Sequence, residues 1–530
     1  MIKMSNIEIY LEEDKDELLN KAAAKLKISP EEIREIRILK ESVDARKEPL
    51  KFVYSILVRA ENEGKILKKI HDRNISFYEE QKPTELKRGN IKLENRPVVV
   101  GFGPCGLYAA LKLAEEGYRP LVLERGDAIP GRDRKVDVFM EKGILDVTSN
   151  IQFGEGGAGA YSDGKLTTRI KDVRIGEVLE KLIEAGAPEE ISTLAKPHVG
   201  TDLLKEVVMN IRKKIISLGG EVLFNSKLEG IRMKNGKVIS INVNQEEIPC
   251  EVLILALGHS ARDTYEMLFD RGFTMIAKSM AVGVRVENLQ WRINESQYGS
   301  VYLNPKLKPA EYSLTAKAPD QRGVYSFCMC PGGIVVPAAS EEGMLAVNGM
   351  SYHARDGVNA NSAVVVSVSP QDYGPHPLDG IRFQRELERK AFAMGGSSYH
   401  APVQKVEDFL KGRISTSFDE VIPSYLPGVK PGNLEDLFPR FITEGLKKGF
   451  TEFDRKIKGF AHHGSVMTGV ETRTSAPLRI VRGEDLESVS IKGVYPAGEG
   501  AGYAGGIISS AVDGLKIAEA VIGKYQPGDI

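Results

Sequence analysis

Hydrophobic and polar positions along the first 80 residues alternate at two different periods. Ile7, Ile9 and Leu11 recur at every second residue, the period of a strand with one buried face. Leu18, Leu19, Ala22 and Leu26 then follow helical spacing. A strand-like stretch at Ile36 and Ile38 precedes alternating Phe52, Tyr54, Ile56 and Val58. Ile66, Leu67 and Ile70 mark a second short helix, and Ile75 with Phe77 a last strand. The order βαββαβ predicts a ferredoxin-like module over residues 1–80. That architecture serves many functions and assigns none. Residues 81–95 are polar, contain Pro83 and Gly89, and predict a linker.

The pattern changes at Arg96. Residues 97–101 form a short apolar strand, 104–116 a helix and 119–124 another strand. A helix is expected over 202–218 and a strand over 221–224, and Asn235-Gly236 marks a hairpin turn. Residues 251–257 (EVLILAL) are continuously apolar after Glu251, as a parallel strand covered on both faces must be. From about 279 to 460, short strands, Gly/Pro turns and helical stretches near 378–394 and 434–448 are mixed. A buried strand resumes at 491–496, followed by a helix through 520.

Between the first strand and helix of this second region lies Gly101-Phe102-Gly103-Pro104-Cys105-Gly106, a G-x-G-x-x-G fingerprint. Gly101 permits the tight turn, Gly103 lets a pyrophosphate approach the backbone, and Gly106 lets helix and strand pack closely. Phosphates then lie at a helix N-terminus, where free N–H groups and the dipole favour anions. Glu124 ends the next strand, where a carboxylate accepts ribose hydroxyls and disfavours a 2′-phosphate, so the dinucleotide is FAD or NAD. The glycine runs 154–159 and 500–505 fit the same formal pattern but lack the strand before, the helix directly after and the later acid. A late strand–loop–helix at 493–521 is suited to lie beside a flavin, and no second fingerprint exists for a separate NAD domain, which favours FAD.

With these motifs the chain resembles the flavoproteins that carry one Rossmann-type FAD domain, the glutathione-reductase-2 type. The resemblance rests on 101–106, Glu124-Arg125-Gly126, the strand 253–257 with Gly258, and 493–506. More narrowly, it resembles a group of bacterial FAD-dependent dehydrogenases. The motifs here are 153–159 through Ser162-Asp163-Gly164-Lys165-Leu166, Gly258-His259-Ser260-Ala261-Arg262-Asp263, Cys328-Met329-Cys330-Pro331-Gly332-Gly333, and 498–506. The match extends over residues 92–530. Cys105 stands where alanine is more usual, and Gly258 where many relatives have threonine; neither change removes a backbone contact. The implied fold is α/β. A Rossmann-type FAD-binding domain (96–278 and 461–530) carries an inserted α+β substrate domain (279–460), and the ferredoxin-like module precedes them. The implied chemistry is redox, with no substrate named.

The expected FAD contacts are Gly101, Gly103, Pro104, Gly106, Glu124 and Arg125 at the adenosine and pyrophosphate. Gly156, Gly157, Ala158, Ser162, Asp163 and Lys165 are expected close to phosphate or ring, together with Gly258. Gly498, Glu499, Gly505, Gly506 and Ile507 are expected around the ribityl chain and the N1/O2 edge. Glu499 reads either as a ribityl ligand or as an acid capping positive N–H groups. Among His353, His376, His400, His462 and His463 no spacing makes a zinc site. His463 as proton donor and Arg473 as anion clamp are the catalytic candidates, with hydrogen-bonded loop residues as the equal alternative. Cys328 and Cys330, spaced C-x-C rather than C-x-x-C, read first as packed thiols and second as a redox pair.

Composition narrows the class. Of 530 residues, 72 are basic and 73 acidic, a net charge of −1, so no basic surface for nucleic acid or anionic membrane is indicated. Residues 1–90 hold 19 basic and 18 acidic side chains, so even this charge-rich part is balanced. Four cysteines exclude a disulfide framework and point to a reducing, cytoplasmic setting. The N-terminus carries no signal-peptide core, and no apolar run reaches membrane-spanning length. The expectation is an FAD-dependent oxidoreductase moving a hydride or electron pair between FAD and a small organic substrate, with NAD(P)H as a transient donor. A flavoprotein acting on RNA, or a non-catalytic flavin-binding scaffold, are the alternatives.

Overall fold

The computed structural model describes residues 1–79, 86–462 and 464–528. The strands Ile2–Tyr10, Ile33–Asp44, Lys51–Ala60 and Ile75–Phe77 form one antiparallel sheet. In it the first strand lies between the third and the fourth, and the second is at the edge. The helices Glu17–Leu26 and Glu63–Lys69 connect them. Ile2, Met4, Ile7 and Ile9 are all buried although Met4 and Ile7 are three apart. A bulge between Met4 and Ile7, with Asn6 at φ 56°, absorbs the odd spacing and returns Ile7 to the inner face. The described part of the expected linker is not free: Ile91–Lys92 pairs in parallel with Tyr525–Gln526, and Leu93 is buried.

A five-stranded parallel sheet organises the second region, in the order Val494–Pro496, Leu253–Leu255, Val98–Val100, Leu121–Leu123, Glu221–Leu223. Each of these strands is three residues long, and all but the last are fully buried, which explains their unbroken apolar runs. One face carries the helices Pro104–Glu115, Arg174–Glu184, Thr201–Ser217 and Ile507–Lys524. The other packs on the antiparallel strands Leu228–Lys234, Lys237–Val243 and Glu246–Pro249. Asn235 and Gly236, at φ 52° and 72°, make the turn expected of an Asn-Gly hairpin.

A seven-stranded sheet forms the third body. Its order is Thr315–Lys317, Gly323–Cys330, Asn359–Val368, Met280–Leu289, Val466–Glu471, Ala401–Lys405, Val429–Pro431. The helix Arg440–Lys456 buries Leu446, Phe450 and Phe453 against the Val282, Val284, Val364 and Val366 face. That helix starts later than the pattern at 434 indicates, because residues Leu434–Leu437 form a separate 3-10 turn. The opposite face, with Arg285, Asn361 and Phe327, turns toward the parallel sheet.

Candidate functional site

A cleft runs along the carboxyl ends of the parallel strands and is closed on its far side by the seven-stranded sheet. It holds about 1750 Å3 of empty space, open solvent included. Switch points at strand carboxyl ends are where open α/β sheets bind ligands. Of the residues expected from the fingerprint, Gly101, Gly103, Pro104, Glu124 and Arg125 line it. So do Gly157, Ala158, Ser162, Asp163 and Lys165 from the second glycine run, and Gly258, Glu499, Gly505, Gly506 and Ile507 from further along the chain. Arg473 reaches it from the end of the seven-stranded sheet.

Gly106, Gly156 and Gly498 are not among the lining residues and act from behind it. A Cβ at Gly106 would sit 1.9 Å from the Gly101 carbonyl oxygen, so this glycine sets the approach of helix to strand. Gly498 donates its N–H to Asp513 at 2.7 Å and lies against Cys105. His463 falls outside the described residues, so its expected role has no structural counterpart here. Its neighbour His462 is exposed and lies 3.6 Å from Asp454. His353 stacks on His198, and His376 meets the ring of Phe269 edge-on. Among the described residues the histidine that lines the cleft is His259, visible in the sequence only as one letter of the 258–263 motif.

Glu124 is buried and accepts three backbone N–H groups, from Phe102 (2.9 Å), Gly126 (3.0 Å) and Gly154 (2.9 Å). An ionised carboxylate has about four acceptor sites, so roughly one remains for a ligand hydroxyl rather than enough for a symmetric pair of bonds. The same contacts tie the fingerprint turn to the 153–159 run. Arg125 is held by Asp263 (2.9 Å) and Thr264 (2.7 Å) and lies 4.3 Å above the Phe153 ring, making a flat wall.

Asp163 anchors a buried ion cluster. It pairs with Lys165 at 3.0 Å and with Arg355, and it accepts the Ser351 hydroxyl. Glu311 bridges Lys165 (3.1 Å) and Arg355 (2.7 Å). The carboxylates hold Lys165 above the ordinary lysine range against the effect of burial. A second cluster lies behind Arg473, whose guanidinium is committed to Glu388 (Nε 2.9 Å, Nη2 3.0 Å) and to Ser260 (2.8 Å). Glu388 also accepts from Arg262 at 2.7 and 2.9 Å, and Arg262 pairs with Glu341 at 2.6 Å. Arg473, expected as an anion clamp or a hydrogen-bonded loop residue, thus lines the cleft with its guanidinium bonded to Glu388, Ser260 and Ser340.

Between the clusters, Ser260 links Arg473 to Gln152 (3.1 Å) and to His259 Nδ1 (2.9 Å). Burial, with Arg473 and Arg262 nearby, lowers His259 to about 3, so it is neutral at physiological pH. Burial raises Glu499 to about 7, which places its ionisation in the physiological range. Phe327, Cys328 and Asn348 complete the wall on the side of the seven-stranded sheet. Cys328 has φ 46°, a left-handed backbone that costs a non-glycine residue roughly 1–2 kcal/mol. A bulge places it there: Phe327 lies opposite Ala363 and Cys330 opposite Asn361, so two residues face one.

A protein of Clostridium beijerinckii (strain ATCC 51743 / NCIMB 8052), described as an uncharacterized protein, is 54% identical over 528 residues and aligns over 99% of each chain. The chain belongs to that protein's family. Residues 279–474 match the family described as FAD-dependent protein, C-terminal domain-like, and residues 1–59 match Domain of unknown function (DUF8436). The cofactor assigned by the first match is FAD. Among solved structures, a geranylgeranyl bacteriochlorophyll reductase-like protein of Thermoplasma acidophilum is 15% identical. It covers 80% of this chain and 77% of its own, with a TM-score of 0.33. The glycine oxidase of Bacillus cereus ATCC 14579 is 12% identical and covers 81% of this chain and 98% of its own, with a TM-score of 0.31.

The cleft of this family member accommodates such a group on steric and polar grounds of its own. A Cβ at Gly103 would meet only the Gly157 Cα at 3.7 Å, and at Gly258, Gly505 and Gly506 it would meet nothing within 4 Å. The space kept clear by these glycines is therefore not filled by protein. Gln152 Nε2 is buried beside the same space without a hydrogen-bond partner, a donor that a polar ligand satisfies. Among the described residues no helix is long and apolar enough to cross a membrane.

Proposed function

We propose that the protein is an FAD-dependent oxidoreductase, a dehydrogenase or reductase, acting on a small organic substrate. The observation that carries this reading is the continuity of the cleft. One cavity is lined by the fingerprint loop, the 157–165 segment, the 258–261 loop and the 505–507 turn, and ends at Phe327 and Cys328 of the seven-stranded sheet and at Asn348 of the small hairpin sheet beside it. In this reading Glu124 holds one ribose hydroxyl and the Arg125–Phe153 wall faces the adenine. Gly101, Gly103 and Pro104, at the start of the helix Pro104–Glu115, face the pyrophosphate. Ala158, Ser162 and the cationic Lys165 border the middle of the cofactor, and Gly258, Gly505, Gly506 and Ile507 its ring end.

When bound, FAD supplies the acceptor or donor of a hydride or an electron pair. The chain's own groups do the rest. The Asp163–Arg355–Glu311 cluster fixes Lys165 as a cation at the wall. Ser260, held by Arg473, orients a neutral His259 whose Nε2 is the ring nitrogen left for a ligand. Glu499 exchanges a proton near neutral pH, the property wanted of a group that follows the charge of its neighbours. The seven-stranded sheet, built from the insert expected at 279–460 and extended past that boundary by the strand Val466–Glu471, closes the cleft and provides the substrate wall; NAD(P)H is read as a transient donor at the same opening. The antiparallel order of the N-terminal sheet supports reading residues 1–80 as a ferredoxin-like module.

Anaerobic reduction of the purified flavoprotein, followed by absorbance against NADH, NADPH and fractionated metabolite pools, tests the activity. Bleaching by a defined donor is expected. A flavoprotein reduced by none of them, yet stoichiometric in FAD, would instead favour a scaffold role. Glu124→Ala is expected to lose copurifying FAD while a surface variant such as Lys234→Ala keeps it.

A further inference from the structure

We propose that Cys328 and Cys330 are a redox-active dithiol in the cleft wall that reduces small disulfides, with Cys328 as the attacking thiol and Cys330 as the resolving one. The proposal rests on the FAD reading of the cleft for the supply of electrons. In an unbroken strand, residues at i and i+2 share a face and are equally covered. Here the bulge turns Cys328 into the cleft, where it is partly exposed, and leaves Cys330 buried directly behind it. The Cys330 thiol donates to the Cys328 carbonyl at 3.3 Å, which sets its sulfur beside Cys328. An exposed attacking sulfur backed by a buried partner is the arrangement thiol–disulfide exchange requires.

The charges around the pair divide its two protons unequally. Arg285 comes from the strand Met280–Leu289, with Nη2 3.8 Å from Cys330 Sγ. Lys165 and Asp163 face the pair from the 162–165 segment, Glu471 from the strand Val466–Glu471, and Glu499 from the loop before the last helix. The Cys330 hydrogen bond, then Arg285 and Lys165, hold Cys328 below the ordinary thiol value, with burial and Asp163 opposing. The Cys328 hydrogen bond and burial hold Cys330 well above it. The first proton to leave the pair is therefore that of Cys328, which faces the cleft, while Cys330 keeps its own.

The exchange balances. The Cys328 thiolate attacks one sulfur of a disulfide RSSR; the substrate S–S bond breaks, a Cys328–S–S–R bond forms, and RS⁻ leaves. Cys330 gives its proton to RS⁻ and attacks the Cys328 sulfur, releasing the second RS⁻ and forming the Cys328–Cys330 disulfide. An electron pair and one proton from reduced FAD return that disulfide to one thiolate and one thiol. The reductant of FAD is of the nicotinamide dinucleotide class.

The test uses the full-length holoprotein, oxidised with oxidised glutathione and desalted. Anaerobic dithionite titration is expected to consume two electron pairs per FAD in the wild type and one in Cys328→Ser. Cys330→Ser is expected to trap glutathione on Cys328, seen by mass spectrometry. In reduced protein, iodoacetamide labels Cys328 with a midpoint below the ordinary value of about 8.5, and Cys330→Ala moves that midpoint up. A wild type that takes up one electron pair per FAD, or a Cys328 midpoint at or above the ordinary value, overturns the proposal. Protein that lacks FAD fails the functional reading instead, and the alkylation and trapping results then still decide whether the thiols are paired as described.

Discussion

Glu388 is the acid on which two buried cations depend, Arg473 in the cleft wall and Arg262 behind it, and replacing it with glutamine isolates that dependence without opening a cavity. The side chain is fully buried, and Arg262 and Arg473 are 1% and 3% exposed. Its two oxygens accept from both guanidinium groups and from Thr472 at 2.5 Å. In Glu388→Gln, Arg262 retains Glu341 and Gln384, but Arg473 retains only Ser260 and Ser340. Breaking a buried pair by neutralising one partner costs about 3–5 kcal/mol, because the other charge stays buried. For a cooperative body of 150–250 residues, at about 2–4 °C per kcal/mol, the melting temperature falls by roughly 6–20 °C. Arg262 and Arg473 hold the Glu388 carboxyl far below the usual range. Its stabilisation is therefore present above the unfolded value of about 4.3 and is lost as pH falls through the folded value. Calorimetry of wild type and Glu388→Gln at pH 7 and at descending acid pH reads both effects. A variant within about 1 kcal/mol of wild type at pH 7 would show that the two cations do not depend on Glu388.

Three further outcomes follow from single contacts. Gly106→Ala drives a Cβ to 1.9 Å from the Gly101 carbonyl and is expected to yield misfolded protein; Gly103→Val, whose Cβ meets only Gly157 Cα at 3.7 Å, is expected to fold with a normal circular-dichroism melt but to copurify without FAD. Glu499, raised to about 7 by burial, keeps its proton when folded over a range in which the unfolded chain has lost it. Stability of the wild type should then fall relative to Glu499→Gln as pH rises from about 4.3 toward 7, by roughly 1–3 kcal/mol; parallel curves in urea titrations at several pH values would contradict this. Neutral His259, lowered to about 3, predicts that ligand binding shows no histidine step between pH 5 and 8, and a step abolished by His259→Gln would refute it.

Local patterns carried most of this architecture. The three-residue parallel strands are unbroken apolar runs, and the glycine spacing at 101–106 encodes both a turn and a steric approach, so both were legible one segment at a time. The bulge at Asn6 and the delayed start of the helix Arg440–Lys456 were not, since each depends on what packs against it. The site divides in the same way. Residues whose role is backbone geometry announced themselves, while those defined by partners did not. Arg473 reads as an anion clamp or a loop residue, and its partner Glu388, 85 positions earlier, shows only in the fold. His259, one of eight histidines, sat in the 258–263 motif with nothing to mark it as a site residue, and the cleft singles it out. C-x-C spacing in a strand suggested side chains on one face, and a bulge set by the partner strand Asn359–Val368 gave them different surroundings.

The central claim is that one cleft, built from glycine loops more than 400 residues apart, holds FAD. The direct measurement is the flavin content of the purified full-length protein, from its absorption spectrum and from chromatography of the released chromophore after denaturation. The account predicts one non-covalently held FAD per chain, lost in Gly103→Val and Glu124→Ala with the fold retained. A folded wild type that neither retains FAD nor binds it on reconstitution would contradict it.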